Sequence, residues 1–244
     1  MIVMPRFYIS EPPLTDMLYP LPAQAAHHAM RVLRMARGDD LVLFDGSGRE
    51  WRATVARIDK REVVVSVTAC CAVSRESPLS IVLVQGISSG ERMDYTLQKA
   101  VELGVTRIQP VACGRSVVKL AGERAEKRCE HWQNLVAAAC EQCGRNIVPE
   151  VAPVMGLKSW LSLPSGPRSG IIFAPAATET LHTLTKPQTE IAILAGPEGG
   201  FTDDEYRQAA DAGFVAVRLG PRILRTETAA LAALSAMQVL WGDI

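Results

Sequence analysis

Beyond residue 78 the chain alternates short apolar runs with stretches of helical period, and that rhythm constrains the fold more than any other feature. LSIVLVQGI is a nearly continuous apolar run, as a parallel strand covered on both faces requires. A helix is expected from about Glu91, with Met93, Leu97, Ala100 and Val101 inward and a stop at Gly104. VTRIQPV reads as the next strand. A second helix from about Glu123 places Trp132, Leu135, Val136, Ala139, Cys140 and Cys143 on one stripe and stops at Gly144. Strands IIFA and IAILAG, a helix from Asp203, strand FVAVRLG and an Ala-rich helix from about Thr226 complete the series. Such alternation builds an α/β domain around a mostly parallel sheet.

The first third has a different rhythm. From Gly38 to about Ala72, LVLFD and EWRATVARID flank the turn signal Asp45-Gly46-Ser47-Gly48, and REVVVSV follows a second short turn. Alternation puts Trp51, Ala53 and Val55 on one face. With RFYIS near the start this makes four or five short strands, a small barrel or curled sheet. One helix is expected over residues 23–36, burying Ala29, Val32, Leu33 and Ala36 and turning His27, Arg31 and Arg34 outward. Residues 24–37 hold three arginines and no acid. A solvated face explains that, and so does a ridge that touches successive phosphates. The change of character at VSRESP sets the expected domains at 1–72 and 73–244.

Composition excludes several classes. Hydrophobic residues make up 48% and charged residues 21%, ordinary for a folded globular chain. No apolar stretch approaches the roughly 20 residues of a membrane helix, and MIVMPRFYIS lacks the pattern of a secretion signal, so a cytoplasmic location is expected. Net charge is zero and the pI is about 6.9, so nucleic-acid binding must rest on local clusters. Six cysteines (70, 71, 113, 129, 140, 143) form no ligand pairs at zinc spacing. The Cys140/Cys143 CxxC falls at a helix end, where the dipole opposes a thiolate. Buried, inert cysteines and no metal are expected.

Two glycine-bearing segments carry the chemistry. In IAILAGPEGGFTDDE a buried strand runs into Gly196-Pro197-Glu198-Gly199-Gly200 and a helix begins at once, with Thr202 and Glu205 spaced as a capping box. Glycines at the end of a parallel strand let a ligand approach the backbone where open α/β sheets bind ligands. No dinucleotide fingerprint or phosphate-loop lysine is present, and Asp203 and Asp204 would repel a phosphate at that helix end. A nucleotide-binding metabolic enzyme is therefore disfavoured. The second segment, LGPRILRTETA from Leu219, also joins a strand to a helix, and holds Arg222 and Arg225 in an apolar stretch.

These two segments, with MPRFYI, HHAMRVLRMARGD, QKAVELGV and WQNLVAAACEQCGRNIVPEV in order, resemble the RsmE family of SPOUT methyltransferases, which act on uridine N3 in small-subunit ribosomal RNA. Val101 departs from the small or polar residue expected there. The resemblance implies a PUA-like RNA-binding barrel, then an α/β domain whose last segment threads a trefoil knot. It further implies a homodimer with S-adenosylmethionine near the subunit interface, and a substrate presented in the assembled 30S subunit. Carried over by position, the cofactor pocket is formed by Ala174, Pro175, Leu194, Gly196, Gly199, Gly200, Leu219, Gly220, Ile223 and Leu224. Arg225 or Arg6 is expected to supply positive charge beside the uracil oxygens. Glu198 is a weaker candidate as base or orienter, and equally a structural cap. Expected RNA contacts are Arg6, Arg31, Arg34, Lys99 and Arg115. The alternatives are a SPOUT enzyme acting on transfer RNA or another ribosomal position, and a non-catalytic RNA-binding assembly factor.

Overall fold

The computed structural model describes residues 4–163 and 170–244, so the first three residues of the N-terminal stretch read above lie outside it. The chain divides into two compact units: Met1–Glu76 with Cys140–Val148, and Ser77–Ala139 with Pro149–Ile244. The first unit thus runs past residue 72 and takes in a later segment.

In the first unit, β1 (Arg6–Tyr8), β2 (Leu18–Pro20), β3 (Asp40–Phe44), β4 (Arg49–Ile58) and β5 (Val63–Ala72) form one sheet in the order β1-β3-β4-β5-β2. β1 runs parallel to β3 and the other pairings are antiparallel. Two register shifts between β4 and β5 bend that ribbon. At the β3–β4 turn, Asp45 Oδ1 accepts from the Ser47 N–H (3.0 Å) and hydroxyl (2.6 Å). Trp51, Ala53 and Val55 point into a core shared with Leu41, Leu43, Val63, Val65 and Val67, as alternation predicts.

The expected helix over 23–36 is broken. Only Ala23–His27 (α1) is α-helical, and His28–Val32 is a π turn in which the Leu33 N–H donates to the His28 carbonyl (3.0 Å). Arg34 then adopts φ +52°. The wider turn shifts the inward face. Ala25, Ala26, Ala29 and Met35 are buried, whereas Val32, Leu33 and Ala36 are exposed. Arg31 and Arg34 do face outward.

Residues 140–148 join this unit through a polar cluster. Buried Glu50 accepts hydrogen bonds from Arg6 (3.0 Å), Arg75 (3.1 Å) and Asn146 (3.0 Å). Asn146 also donates to the Val73 carbonyl (2.8 Å) and accepts from Arg6, while Arg145 pairs with Glu76. Burial alone would raise the Glu50 carboxyl, but donation from Arg6, Asn146 and Arg75 holds it below the usual range.

In the second unit, β6 (Ile81–Gly86), α2 (Gly90–Glu102), β7 (Arg107–Ala112), α3 (Glu123–Cys143), β8 (Glu150–Val151), β9 (Met155–Gly156), α4 (Leu157–Leu161), β10 (Gly170–Phe173), β11 (Ile191–Ala195), α5 (Asp203–Asp211), β12 (Phe214–Val217) and α6 (Thr226–Trp241) follow in order. The last turn of α3 belongs to the first unit. The sheet is parallel throughout, in the order β12-β10-β11-β6-β7-β8, with β9 also paired to β7. Met93, Leu97, Ala100 and Val101 of α2 are buried as expected, and α2 and α3 end at Gly104 and Gly144, both with positive φ. The short β8, β9 and α4 carry too little periodic sequence to be foreseen.

The cysteines correct the expectation of uniform burial. Cys140 is buried, Cys70 is exposed on the outer face of β5, and the other four are intermediate. No disulfide joins them, and no group of three or more His, Cys, Asp or Glu among the described residues is placed to hold a metal. Burial, with the Glu205 charge nearby, pushes the Cys113 thiol up to about 12.

Glu50→Gln should destabilise the chain by about 3 kcal/mol at neutral pH, because Arg6 keeps a buried charge without its partner. A carboxyl lowered by folding stabilises above its unfolded value, near 4.5, and loses that contribution as pH falls through the lower folded value. Urea unfolding of both proteins should therefore show the gap closing as pH falls below about 4.5.

Candidate functional site

Three adjacent strands, β12, β10 and β11, deliver their C-terminal ends to one side of the parallel sheet. After β11 the chain turns through Gly196–Gly200, with the Gly200 N–H donating to the Pro197 carbonyl (2.8 Å) and Gly200 at φ +68°. The capping box then forms. Thr202 Oγ1 accepts from the Glu205 N–H (3.2 Å), and the Thr202 N–H donates to Glu205 Oε2 (2.8 Å). Glu205 Oε1 accepts from the Gly114 N–H (2.8 Å), so the same carboxylate ties in the loop after β7. The segment after β12 turns at Gly220, φ +75°, and ends at the first turn of α6.

One hydroxyl ties the two segments together. Thr226 Oγ1 donates to the Gly196 carbonyl and accepts from Gln85 Nε2 (3.1 Å). Gln85 is fully buried and also reaches the carbonyls of Gly86 (3.0 Å) and Gly196 (3.4 Å). A polar residue inside the apolar run LSIVLVQGI is the signal that points to it. The third wall comes from the end of β10, where the Tyr206 hydroxyl donates to the Phe173 carbonyl (3.1 Å).

These walls enclose a cavity of about 550 Å³, within the roughly 300–1,000 Å³ of small-molecule sites. Ala174, Pro175, Gly196, Gly199, Gly200, Leu219, Gly220, Ile223 and Leu224 all line it. Leu194 is not among the lining residues. It is fully buried and packs with Val82, Val84, Ile172 and Phe201. In a strand covered on both faces, a position near the ligand-bearing end still directs its side chain into the core.

The charged residues separate into distinct roles. Arg225 is exposed at the N-cap of α6, lines the cavity and has no acidic partner among the described residues. Arg222 and Arg218 line it under the same condition. Arg115 donates to the Phe201 (3.0 Å) and Gly199 (3.4 Å) carbonyls. A Cβ on Gly199 would sit 2.9 Å from that of Arg115, so the clamp needs a glycine there. Glu198 Oε1 accepts from the Ser89 N–H (2.9 Å) and hydroxyl (2.7 Å) and from Arg92 (3.3 Å). Burial raises its carboxyl, but these donors bring it below the ordinary range. Through these bonds Glu198 fixes its loop to the start of α2. Arg6 belongs to the first unit, where its guanidinium serves Glu50 and Asn146. Lys99 pairs with Glu102 (2.7 Å).

The family model of an RNA methyltransferase domain matches residues 75–238, and that of an RNA methyltransferase PUA domain matches residues 21–68. The ribosomal RNA small subunit methyltransferase E of Buchnera aphidicola from Acyrthosiphon pisum is 35% identical, covering 98% of this chain and 94% of that protein. The chain belongs to the ribosomal RNA small subunit methyltransferase E family.

A solved member of this methyltransferase E family, from Neisseria gonorrhoeae and bound to S-adenosyl methionine, is 45% identical with a TM-score of 0.91, covering 99% of this chain and 100% of that one. A methyltransferase of Legionella pneumophila, in complex with the cofactor SAM, is 40% identical with a TM-score of 0.95 over 100% of both chains. The expected fold class holds: a PUA-like strand unit and an α/β unit of the SPOUT class. In this family member Thr226→Val would remove one of the Gly196 carbonyl's two donors and one of the Gln85 amide's acceptors, at about 1 kcal/mol. Denaturant unfolding should show a lower midpoint at an unchanged slope.

Proposed function

We propose that the chain transfers a methyl group from S-adenosylmethionine to N3 of a uridine in small-subunit ribosomal RNA, acting on the assembled 30S subunit in the cytoplasm. The observation that carries this reading is the meeting of residues 196–200 and 219–225, with Ala174 and Pro175, around one cavity.

The residues fit the cofactor. Backbone N–H and C=O groups at the strand ends can read an adenine and ribose, and Leu219, Ile223 and Leu224 offer apolar faces for a ring. Beside Gly200 nothing stands within 4 Å of where a Cβ would lie, leaving the backbone open to a ligand. S-adenosylmethionine brings an electrophilic methyl on a positively charged sulfur. The protein must then aim the base, exclude water and stabilise the anion that forms as N3 loses its proton. N3 lies on the pairing edge, so the base enters unpaired or flipped.

Of the residues expected to act on the base, Arg225 has the surroundings for it, with an unneutralised guanidinium at the cavity wall. Arg6 is bonded to Glu50, and Glu198 to Ser89 and Arg92, so this reading favours Arg225 over either. RNA contacts are assigned to Arg31 and Arg34, both exposed, and to Lys99 and Arg115, of which Arg115 also shapes the cofactor loop. Ile223, Val239 and Leu240 stand exposed, 86%, 61% and 36% respectively, which supports a homodimer that covers them. Among the described residues no helix is long and apolar enough to cross a membrane.

Calorimetry should show S-adenosylmethionine binding to the wild-type chain and weakened at least about tenfold in Gly199→Ala, where the added Cβ displaces Arg115 or the loop. Arg225→Ala should lower single-turnover methylation by about 10²–10³-fold while cofactor affinity holds. Ribosomal RNA from cells lacking the gene, digested and weighed by mass spectrometry, should lack one 3-methyluridine. Its presence at the wild-type level would remove the assignment.

A further inference from the structure

Beside the cofactor cavity lies a second, open hollow of about 480 Å³, walled by Arg92, Tyr95 and Gln98 of α2, Leu135 of α3 and Glu227 of α6. Arg92 and Glu227 line both spaces, so they stand at the join. Glu227 lies in the first turn of α6. Its Oε2 is shut from solvent and has no hydrogen-bond partner among the described residues. A buried polar atom left without a partner costs about 1–3 kcal/mol, more when charged, and such a group beside a cavity calls for an explanation.

The neighbouring acids are committed elsewhere. Asp94 accepts from Trp132 Nε1 (3.1 Å) and lies 3.0 Å from His131 Nε2, and Glu198 Oε1 is bonded to Ser89 and Arg92, although its Oε2 is as unpartnered as that of Glu227. Glu91 lies exposed at the edge of the hollow. The charged groups around Glu227 are thus Glu91, Arg92 and Asp94 from α2, and Glu198 and Arg225 from the two loops, while α3 contributes Leu135.

We propose that this second hollow receives the target uracil and that Glu227 accepts its N3 proton. The inference rests on the uridine-N3 reading above and assigns the part of the site that takes the base. Along its pairing edge uracil offers a carbonyl, the N3–H and a second carbonyl. Arg92, Glu227 and Gln98, which all line the hollow, supply a guanidinium donor, a carboxylate acceptor and a carboxamide donor, the kinds of group that edge needs. Cytosine has a lone pair at N3, which would face the carboxylate without a proton between them, so the same triad discriminates between the two pyrimidines. Tyr95 presents a half-exposed ring on which a flipped base can stack.

In the transfer step the N3–H bond breaks and its proton passes to the Glu227 carboxylate. The electron pair left on N3 forms the bond to the methyl carbon, and the carbon–sulfur bond breaks with its pair on sulfur, leaving a neutral thioether. Glu227 then returns the proton to water, so each turnover releases one proton.

The test uses Glu227→Gln and Glu227→Ala in the full chain, with small ribosomal subunits from cells lacking the gene as substrate. Both variants should still bind S-adenosylhomocysteine in calorimetry. Their single-turnover rate at neutral pH should fall by about 10²–10⁴-fold. It should climb with rising pH as N3 ionises unaided, narrowing the gap to wild type. In equilibrium binding, the wild-type preference for an RNA strand carrying the target uridine over one with cytidine there should vanish in Glu227→Gln. A variant pH profile parallel to that of wild type, with the uridine preference kept, overturns the proposal, as does loss of S-adenosylhomocysteine binding in Glu227→Gln. Failure of the wild-type chain itself to bind the cofactor would overturn the methyltransferase reading and this inference with it.

Discussion

The site depends on one shared hydroxyl. Thr226 joins the carbonyl of the first glycine loop to the opening turn of α6, and the buried Gln85 amide completes the link. Strand ends leave a parallel sheet with carbonyls that no neighbouring strand satisfies, and inside a protein such groups must find donors. Gln85 supplies donors where two strand ends and a helix start converge. The side chain that removes a local penalty therefore also sets the distance between the cavity walls. Glu205 does the equivalent on the far side of the first loop, capping α5 with one oxygen and holding Gly114 with the other. A cleft held by bonds between its own walls is ready before a ligand arrives, and pre-organisation of that kind lowers the entropic cost of binding.

The strand unit is held to residues 140–148 by a different device. Glu50 draws Arg6, Arg75 and Asn146 to one buried carboxylate, and Glu141 adds a bond from the Tyr8 N–H (2.8 Å). Burying charge carries a large desolvation cost, so such a cluster is weak evidence for stability in itself. Its directional bonds specify position: hydrophobic contact alone would let the segment slide, whereas a carboxylate with three donors admits one register.

Much of this architecture is legible in the sequence because it depends on period and punctuation. The strands and long helices of the second unit, the glycine stops at 104 and 144, and the capping box at 202–205 all fall where local rules place them. The two glycine loops are legible as candidate cavity walls because glycine at a parallel strand end leaves the backbone open to close approach, and both do line the cavity. What escaped the sequence has a non-local cause. The π turn at His28–Val32 breaks the 3.6-residue phase on which Val32, Leu33 and Ala36 were assigned inward. Leu194 lies in a strand covered on both sides, so no alternation distinguishes its core-facing side chain from one at the cleft. Glu198 took its role from Ser89 and Arg92, more than a hundred residues earlier, and residues 140–148 joined the first unit through polar partners that no periodicity records.

Zero net charge and RNA as substrate are reconciled by where the arginines stand. Arg6, Arg75 and Arg145 are set against Glu50 and Glu76 inside the first unit, so two of their three charges are offset locally and that set offers little field outside. Arg218, Arg222 and Arg225 line the cavity with no acidic partner among the described residues. A whole-chain sum weighs the two sets equally, although at roughly 10 Å of screening in cellular salt only unneutralised, outward charges reach an approaching strand. Under the proposed reaction the same local excess of positive charge has a second consequence. The base becomes anionic as N3 gives up its proton, and a guanidinium already in place at the cavity wall stabilises that anion without reorganising. Charge that draws the strand in and charge that favours the reacting base can then come from one short segment, residues 218–225, and the neutral total conceals both.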